Sequence, residues 1–142
     1  MTTIAYKDGI IAYDSRMVCN GLIVDDLYEK EFFKDNIYIF YCGDVGDIEE
    51  FNEAVFSNAN PSRELDCEAL VVYSGKLYAV DIFETRLRKA PLRLSCHTAI
   101  GSGSKLALAF MDTGMTAEEA VIATCKRDTQ TGGVVRTHVI NM

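Results

Sequence analysis

Thr2-Thr3-Ile4-Ala5-Tyr6-Lys7-Asp8-Gly9-Ile10-Ile11-Ala12-Tyr13-Asp14-Ser15 reads as two short strands folded back on a tight turn. Thr2 to Tyr6 is extended and rich in β-formers, Lys7-Asp8-Gly9 supplies the turn, and Ile10 to Tyr13 returns as the second strand. Further on, Ile37-Tyr38-Ile39-Phe40-Tyr41-Cys42 is an unbroken apolar run of strand length, which predicts burial on both faces. Val45, Ile48, Phe51 and Val55 then recur at helical spacing, with Glu49, Glu50 and Glu53 on the other face.

A second hairpin is predicted from Leu70-Val71-Val72-Tyr73 and Leu77-Tyr78-Ala79-Val80, joined by Ser74-Gly75-Lys76. Gly101-Ser102-Gly103-Ser104 reads as a tight loop opening a helix from Lys105 to Asp112, stopped by Gly114. Thr116-Ala117-Glu118-Glu119 is a capping box that starts a helix running to about Asp128. Val134 to Ile140 closes the chain as a strand. Strands, a helix, strands, two helices and a strand define an α+β fold, with helices on the outer faces of stacked antiparallel sheets.

The chain has 142 residues, expected as one domain over 1–142, and 49% hydrophobic residues, enough for a core. Its net charge of −7 and lack of a basic cluster disfavour nucleic-acid binding, which draws its affinity from phosphate neutralisation. No apolar run approaches the ~20 residues of a membrane span, and the first residues lack the basic-then-apolar order of a secretion signal. A cytoplasmic protein without membrane contact is the expectation. The five cysteines are scattered and form no C-x-x-C pair, which argues against a disulfide framework or a zinc site. Cys42 and Cys125 sit in apolar patterns and read as small core residues.

Thr2 carries the chemical interest. Its small side chain favours removal of Met1, which would leave a hydroxyl nucleophile beside its own α-amine. That amine has an unperturbed pKa of about 7.7–8.0, so a useful fraction is neutral near physiological pH. Threonine with its own amine is a route to an activated hydroxyl that needs no histidine.

Five segments together resemble the proteasome β-subunit family of N-terminal-nucleophile hydrolases, in the style of bacterial HslV-type peptidases. Thr2-Thr3-Ile4 resembles the family's mature N-terminus, and Ile11-Ala12-Tyr13-Asp14-Ser15 the strand ending in its aspartate. Cys42-Gly43-Asp44-Val45-Gly46-Asp47 resembles A-G-x-x-A-D, with Cys42 and Gly46 standing where alanines are typical. Gly101-Ser102-Gly103 resembles the loop before the third helix. Arg127-Asp128-Thr129-Gln130-Thr131-Gly132 resembles R-D-x-x-S-G, with Thr131 keeping the hydroxyl of the usual serine.

The resemblance implies a four-layer αββα sandwich and a threonine peptidase acting on polypeptides through an acyl-enzyme. Thr2 would be the nucleophile, and Lys30 the cation that favours its less protonated forms. Asp14 would pair with Lys30, and the Gly43 N–H would serve the oxyanion hole. Ser102, Asp128 and Thr131 would bind the amine and order a water. Lys34 is the alternative to Lys30, because Glu31 stands where the family has an apolar residue. His97 and His138 match no catalytic position. The resemblance implies no metal or organic cofactor. It suits a homo-oligomeric ring and leaves an AAA+ unfoldase open as a partner.

Two other readings stay open. One is a catalytically silent scaffold in which Asp14, Lys30 and Asp128 form a structural ion network. The other is an amidase on a small molecule, shaped by the loop from Arg16 to Asp25.

Overall fold

The computed structural model describes residues 2–140, and the chain divides into two compact units. The first comprises residues 2–30 and 94–140; the second is 31–93. Met1, and with it the expected removal of that residue, lies outside the described residues.

In the first unit, β1 (Thr3–Lys7) and β2 (Ile10–Tyr13) form the expected hairpin. Lys7 pairs with Ile10 across a two-residue loop in which Asp8 has φ 51° and Gly9 φ 82°. Two consecutive left-handed residues match the right-handed strand twist, so an Asp-Gly pair suits the turn. A second hairpin follows, β3 (Met17–Cys19) and β4 (Leu22–Asp25), in the stretch read as a loop. It turns on Asn20 (φ 51°) and Gly21 (φ 76°).

With β10 (Thr98–Gly101) and β11 (Arg136–Val139), the first hairpin builds an antiparallel sheet in the order β10-β1-β2-β11. Cross-strand pairing stacks Ala5 against Ala99 on one side and Ala12 on the other. These small side chains share a buried cluster with Ala107 and Met111 of α2 (Ser104–Asp112) and Ala117, Ala120 and Val121 of α3 (Ala117–Cys125). Ile4, Tyr6, Ile11 and Tyr13 alternate with the alanines and are also buried.

The second unit is an antiparallel meander, β5 (Glu31–Lys34), β6 (Ile37–Gly43), β7 (Cys67–Tyr73), β8 (Lys76–Phe83) and β9 (Arg86–Leu92), paired in chain order. Its helix α1 (Val45–Ser57) packs on β6 and β7 through Ile48, Phe51, Ala54 and Val55. Asp44 caps α1 by accepting from Gly46 N at 2.9 Å, and Asn58 closes it in the left-handed conformation. Ile39, Phe40 and Tyr41 are buried, as the apolar run predicts.

Several boundaries differ from expectation, among them β7 starting at Cys67 and β8 running on to Phe83. Gly101 ends β10 instead of opening a loop, and Lys76 begins β8 instead of belonging to the turn. Helix α3 stops at Cys125. Beyond it Asp128 forms a turn, accepting from Gln130 N on its side chain (3.2 Å) and from Thr131 N on its carbonyl (3.1 Å). β11 begins at Arg136, because Val134 O accepts from Ser15 Oγ and Val134 N donates to Asp26 O.

Candidate active site

The β1–β2 hairpin brings its two ends together. Asp14 follows β2 directly, and its N–H donates to Thr3 O at 3.3 Å, so the carboxylate returns beside the start of β1. Lys30 enters from the segment after β4. Its ammonium donates to Thr2 Oγ and, at 2.8 Å, to Asp14 Oδ1, while Thr2 Oγ donates to the same carboxylate oxygen. The Lys30 and Asp14 side chains are only 5% and 0% exposed, so the charges face each other away from water.

Asp14 is held by five donors. Oδ1 accepts from Thr2 Oγ, Lys30 Nζ and Thr3 N (3.2 Å). Oδ2 accepts from Arg16 N (3.3 Å) and from Gly132 N (3.0 Å). A buried carboxylate is stable only with its lone pairs occupied in this way. A Cβ at Gly132 would displace the Arg16 guanidinium, which forms a two-bond clasp on Asp26 (2.9 and 3.2 Å).

A second group adjoins the first. Thr131 Oγ1 donates to Asp128 Oδ2 at 2.6 Å, and Ser102 Oγ donates to the same oxygen at 2.7 Å. Ser102 Oγ also lies 3.4 Å from Thr2 O. Thr3 Oγ1 joins the network 2.8 Å from Thr131 Oγ1. Burial disfavours the charged Asp128 carboxyl, but the hydrogen bonds from Thr131, Ser102 and Gln130 outweigh it and hold the group below its ordinary value. Gly103 leaves room for this cluster, since a Cβ there would strike Thr3 Oγ1, the Thr124 methyl and Asp128 Oδ2.

Six of the seven candidate residues, Thr2, Asp14, Lys30, Ser102, Asp128 and Thr131, therefore fall in one unit and share hydrogen bonds. Gly43 belongs to the other unit, at the end of β6. There it has φ 134°, and a Cβ would overlap Asp66 O and Cys67 Cα, so local packing already demands glycine. Lys34, the alternative lysine, lies 4.4 Å from the Phe56 ring centroid in that second unit. His97 pairs with Asp112 at 2.5 Å, outside both clusters. Cys42 is buried as expected, whereas Cys125 is only partly so. Thr3, Arg16, Gly103 and Gly132 were missed as site residues, although Gly132 ends the R-D-x-x-S-G-like segment and could have been found from it.

The α+β fold expected from the sequence is the fold of HslV-type, proteasome-like proteins. A Thiobacillus denitrificans protein named BPH, solved in complex with epoxomicin, is 17% identical, covers 99% of both chains and has a TM-score of 0.70. A second structure of Thiobacillus denitrificans BPH matches at 17% identity and TM-score 0.68, over 99% of this chain and 98% of that one. Eukaryotic HslV from Trypanosoma brucei is 14% identical over 99% of each chain, with a TM-score of 0.71. No family model matches the sequence, and no curated protein does. Among the described residues, no helix is long and apolar enough to cross a membrane.

Proposed function

We propose that this chain is a threonine peptidase of proteasome type, with Thr2 as nucleophile once Met1 is removed. The single observation that carries the reading is the buried contact of Thr2 Oγ with both Lys30 Nζ and Asp14 Oδ1. A threonine at the second position has no structural need for an ammonium on its hydroxyl. The ammonium favours the deprotonated oxygen, and Asp14 keeps that ammonium charged and aimed.

The reaction runs in two steps. Thr2 Oγ attacks a peptide carbonyl, its freed α-amine takes the hydroxyl proton and hands it to the substrate nitrogen, and the C–N bond breaks to release the amine component and leave an ester on Thr2. Water then hydrolyses the ester, held near the amine by Ser102, Asp128 and Thr131. The oxyanion that forms calls for a preorganised N–H donor, and one such donor is worth about 3–4 kcal/mol. Polypeptide substrates, a homo-oligomeric ring and an AAA+ unfoldase as partner belong to the same reading, supported by likeness of fold to HslV.

The test is peptide cleavage by wild type against Thr2→Ala, with far-UV circular dichroism to compare folds. Cleavage lost with the fold retained supports the reading; equal cleavage by the variant removes it. One observation favours the silent scaffold instead: Thr2 is only 1% exposed, and attack requires its Oγ to be uncovered. Absence of cleavage in a wild type already shortened by Met1 would favour that second reading.

A further inference from the structure

Arg136 stands on β11 opposite Tyr13, and none of the chemistry above uses it. Its Nη1 donates to Ser15 Oγ at 3.0 Å and to Tyr28 O at 3.1 Å, and its Nη2 donates to Leu27 O at 3.3 Å. Ser15 Oγ in turn donates to Val134 O at 2.5 Å, and Tyr28 N donates to Ser15 O at 2.9 Å. One guanidinium thus ties the residue after Asp14 to two backbone carbonyls just ahead of Lys30.

Polar ties hold that segment: besides Arg136, Tyr28 N donates to Ser15 O and Val134 N to Asp26 O. Leu22, Ile23, Val24 and Leu27 are 70%, 54%, 56% and 66% exposed, so the β3–β4 hairpin and the turn after it are not anchored by apolar burial. A segment with few buried apolar contacts opens easily unless polar ties hold it. Arg16 holds the same region at Asp26, but through a carboxylate side chain. Arg136 instead grips the backbone itself, at the two residues that set where Glu29 and Lys30 can go. A planar fork with several fixed donors suits three acceptors at once; a lysine head offers no such geometry.

We infer that Arg136 is the positioning residue for Lys30, clamping the Leu27–Tyr28 backbone so that the ammonium lands on Thr2 Oγ and Asp14. This inference rests on the reading of Thr2 as nucleophile. A misplacement of about 1 Å in a reacting group costs on the order of 100-fold in rate. Loosening the clamp should therefore slow reaction at Thr2 without reducing the number of reactive sites.

The experiment is the time course of epoxomicin labelling, followed by intact mass, for wild type, Arg136→Gln, Arg136→Lys, Lys30→Ala and the Arg136→Gln/Lys30→Ala double variant. Arg136→Gln is expected to reach the wild-type endpoint of one adduct per chain at a rate about 10- to 100-fold lower. Arg136→Lys should fall between the two. The double variant should label no more slowly than Lys30→Ala alone, because Arg136 acts only through Lys30.

An unchanged rate in Arg136→Gln overturns the inference. So does a lowered endpoint at unchanged rate, which is the mark of partial unfolding, or effects that multiply in the double variant. If wild type itself takes no adduct, the nucleophile reading has failed, and the positioning claim is read by nuclear magnetic resonance. The 13Cε signal of Lys30, assigned by its loss in Lys30→Ala, then shifts in Arg136→Gln if Arg136 positions it. An unmoved signal refutes the claim.

Discussion

Replacing Lys30 with Met tests whether Asp14 and Lys30 form a charge pair of the kind described. Removing one partner of a buried ion pair costs about 3–5 kcal/mol, because the other charge stays buried without compensation. Here the survivor would be Asp14, which keeps four donors: Thr2 Oγ, Thr3 N, Arg16 N and Gly132 N. The loss for Lys30→Met should therefore lie near the low end, about 3 kcal/mol.

Asp14→Ala is the harsher change. It takes the carboxylate away from the Lys30 ammonium, which is 5% exposed, and also strips an acceptor from the Thr3 and Gly132 amides. Each orphaned buried donor adds about 1–3 kcal/mol, so the total should reach about 5 kcal/mol or more. Urea unfolding followed by far-UV circular dichroism reads both variants. For a chain of this size, ~3 kcal/mol also corresponds to a fall of roughly 10 °C in Tm. Lys30→Met within ~1 kcal/mol of wild type, or Asp14→Ala no worse than Lys30→Met, would refute the reasoning.

Other expectations follow from the same contacts. Asp128 has a folded pKa below its unfolded value, so the unfolded state binds more protons between the two, and stability rises with pH through that window. Its contribution is present above the ordinary carboxylate value of 3.8 and is lost as pH falls through the lower folded value. Asp128→Asn should accordingly flatten the acid limb of a stability–pH curve; an unchanged limb would contradict this. Burial, reinforced by Asp47, Asp66 and Asp44, pushes the Cys67 thiol up to about 12, so native Cys67 should resist alkylation at neutral pH. Exposed Cys19 and Cys96 should react quickly, and peptide mapping distinguishes the sites. Gly101 has φ 96°, and a Cβ there would overlap Thr2 O, so Gly101→Ala should cost ~1–3 kcal/mol or more in urea unfolding and slow any reaction at Thr2.

What could be read from the sequence was local. The β1–β2 hairpin was visible because Asp8-Gly9 carries both positive φ values and the flanking residues are β-formers. The capping box at Thr116 was visible because its two hydrogen bonds join neighbours, at 3.0 and 3.1 Å. β9 was missed, since Arg86, Arg88, Lys89 and Pro91 break the apolar signal on what proves to be an exposed edge. Charges and proline on an edge strand discourage pairing with other chains, so the residues that hid the strand suit its place. The β3–β4 hairpin had an Asn20-Gly21 turn signal that went unread as such.

Site residues divide the same way. Those standing in recognisable segments could be named, and the six in the first unit share one hydrogen-bond network. The Gly132 bond to Asp14 spans 118 residues, and the Arg136 bond to Ser15 spans 121. No periodicity encodes such contacts; they exist only after β11 has paired with β2.

The most direct measurement of the central claim is intact mass spectrometry of the purified chain before and after epoxomicin, with Thr2→Ala beside it. The account predicts loss of one methionine and a single adduct on wild type, with none on the variant. Wild type that has lost Met1 yet takes no adduct, or an equal adduct on Thr2→Ala, would contradict it.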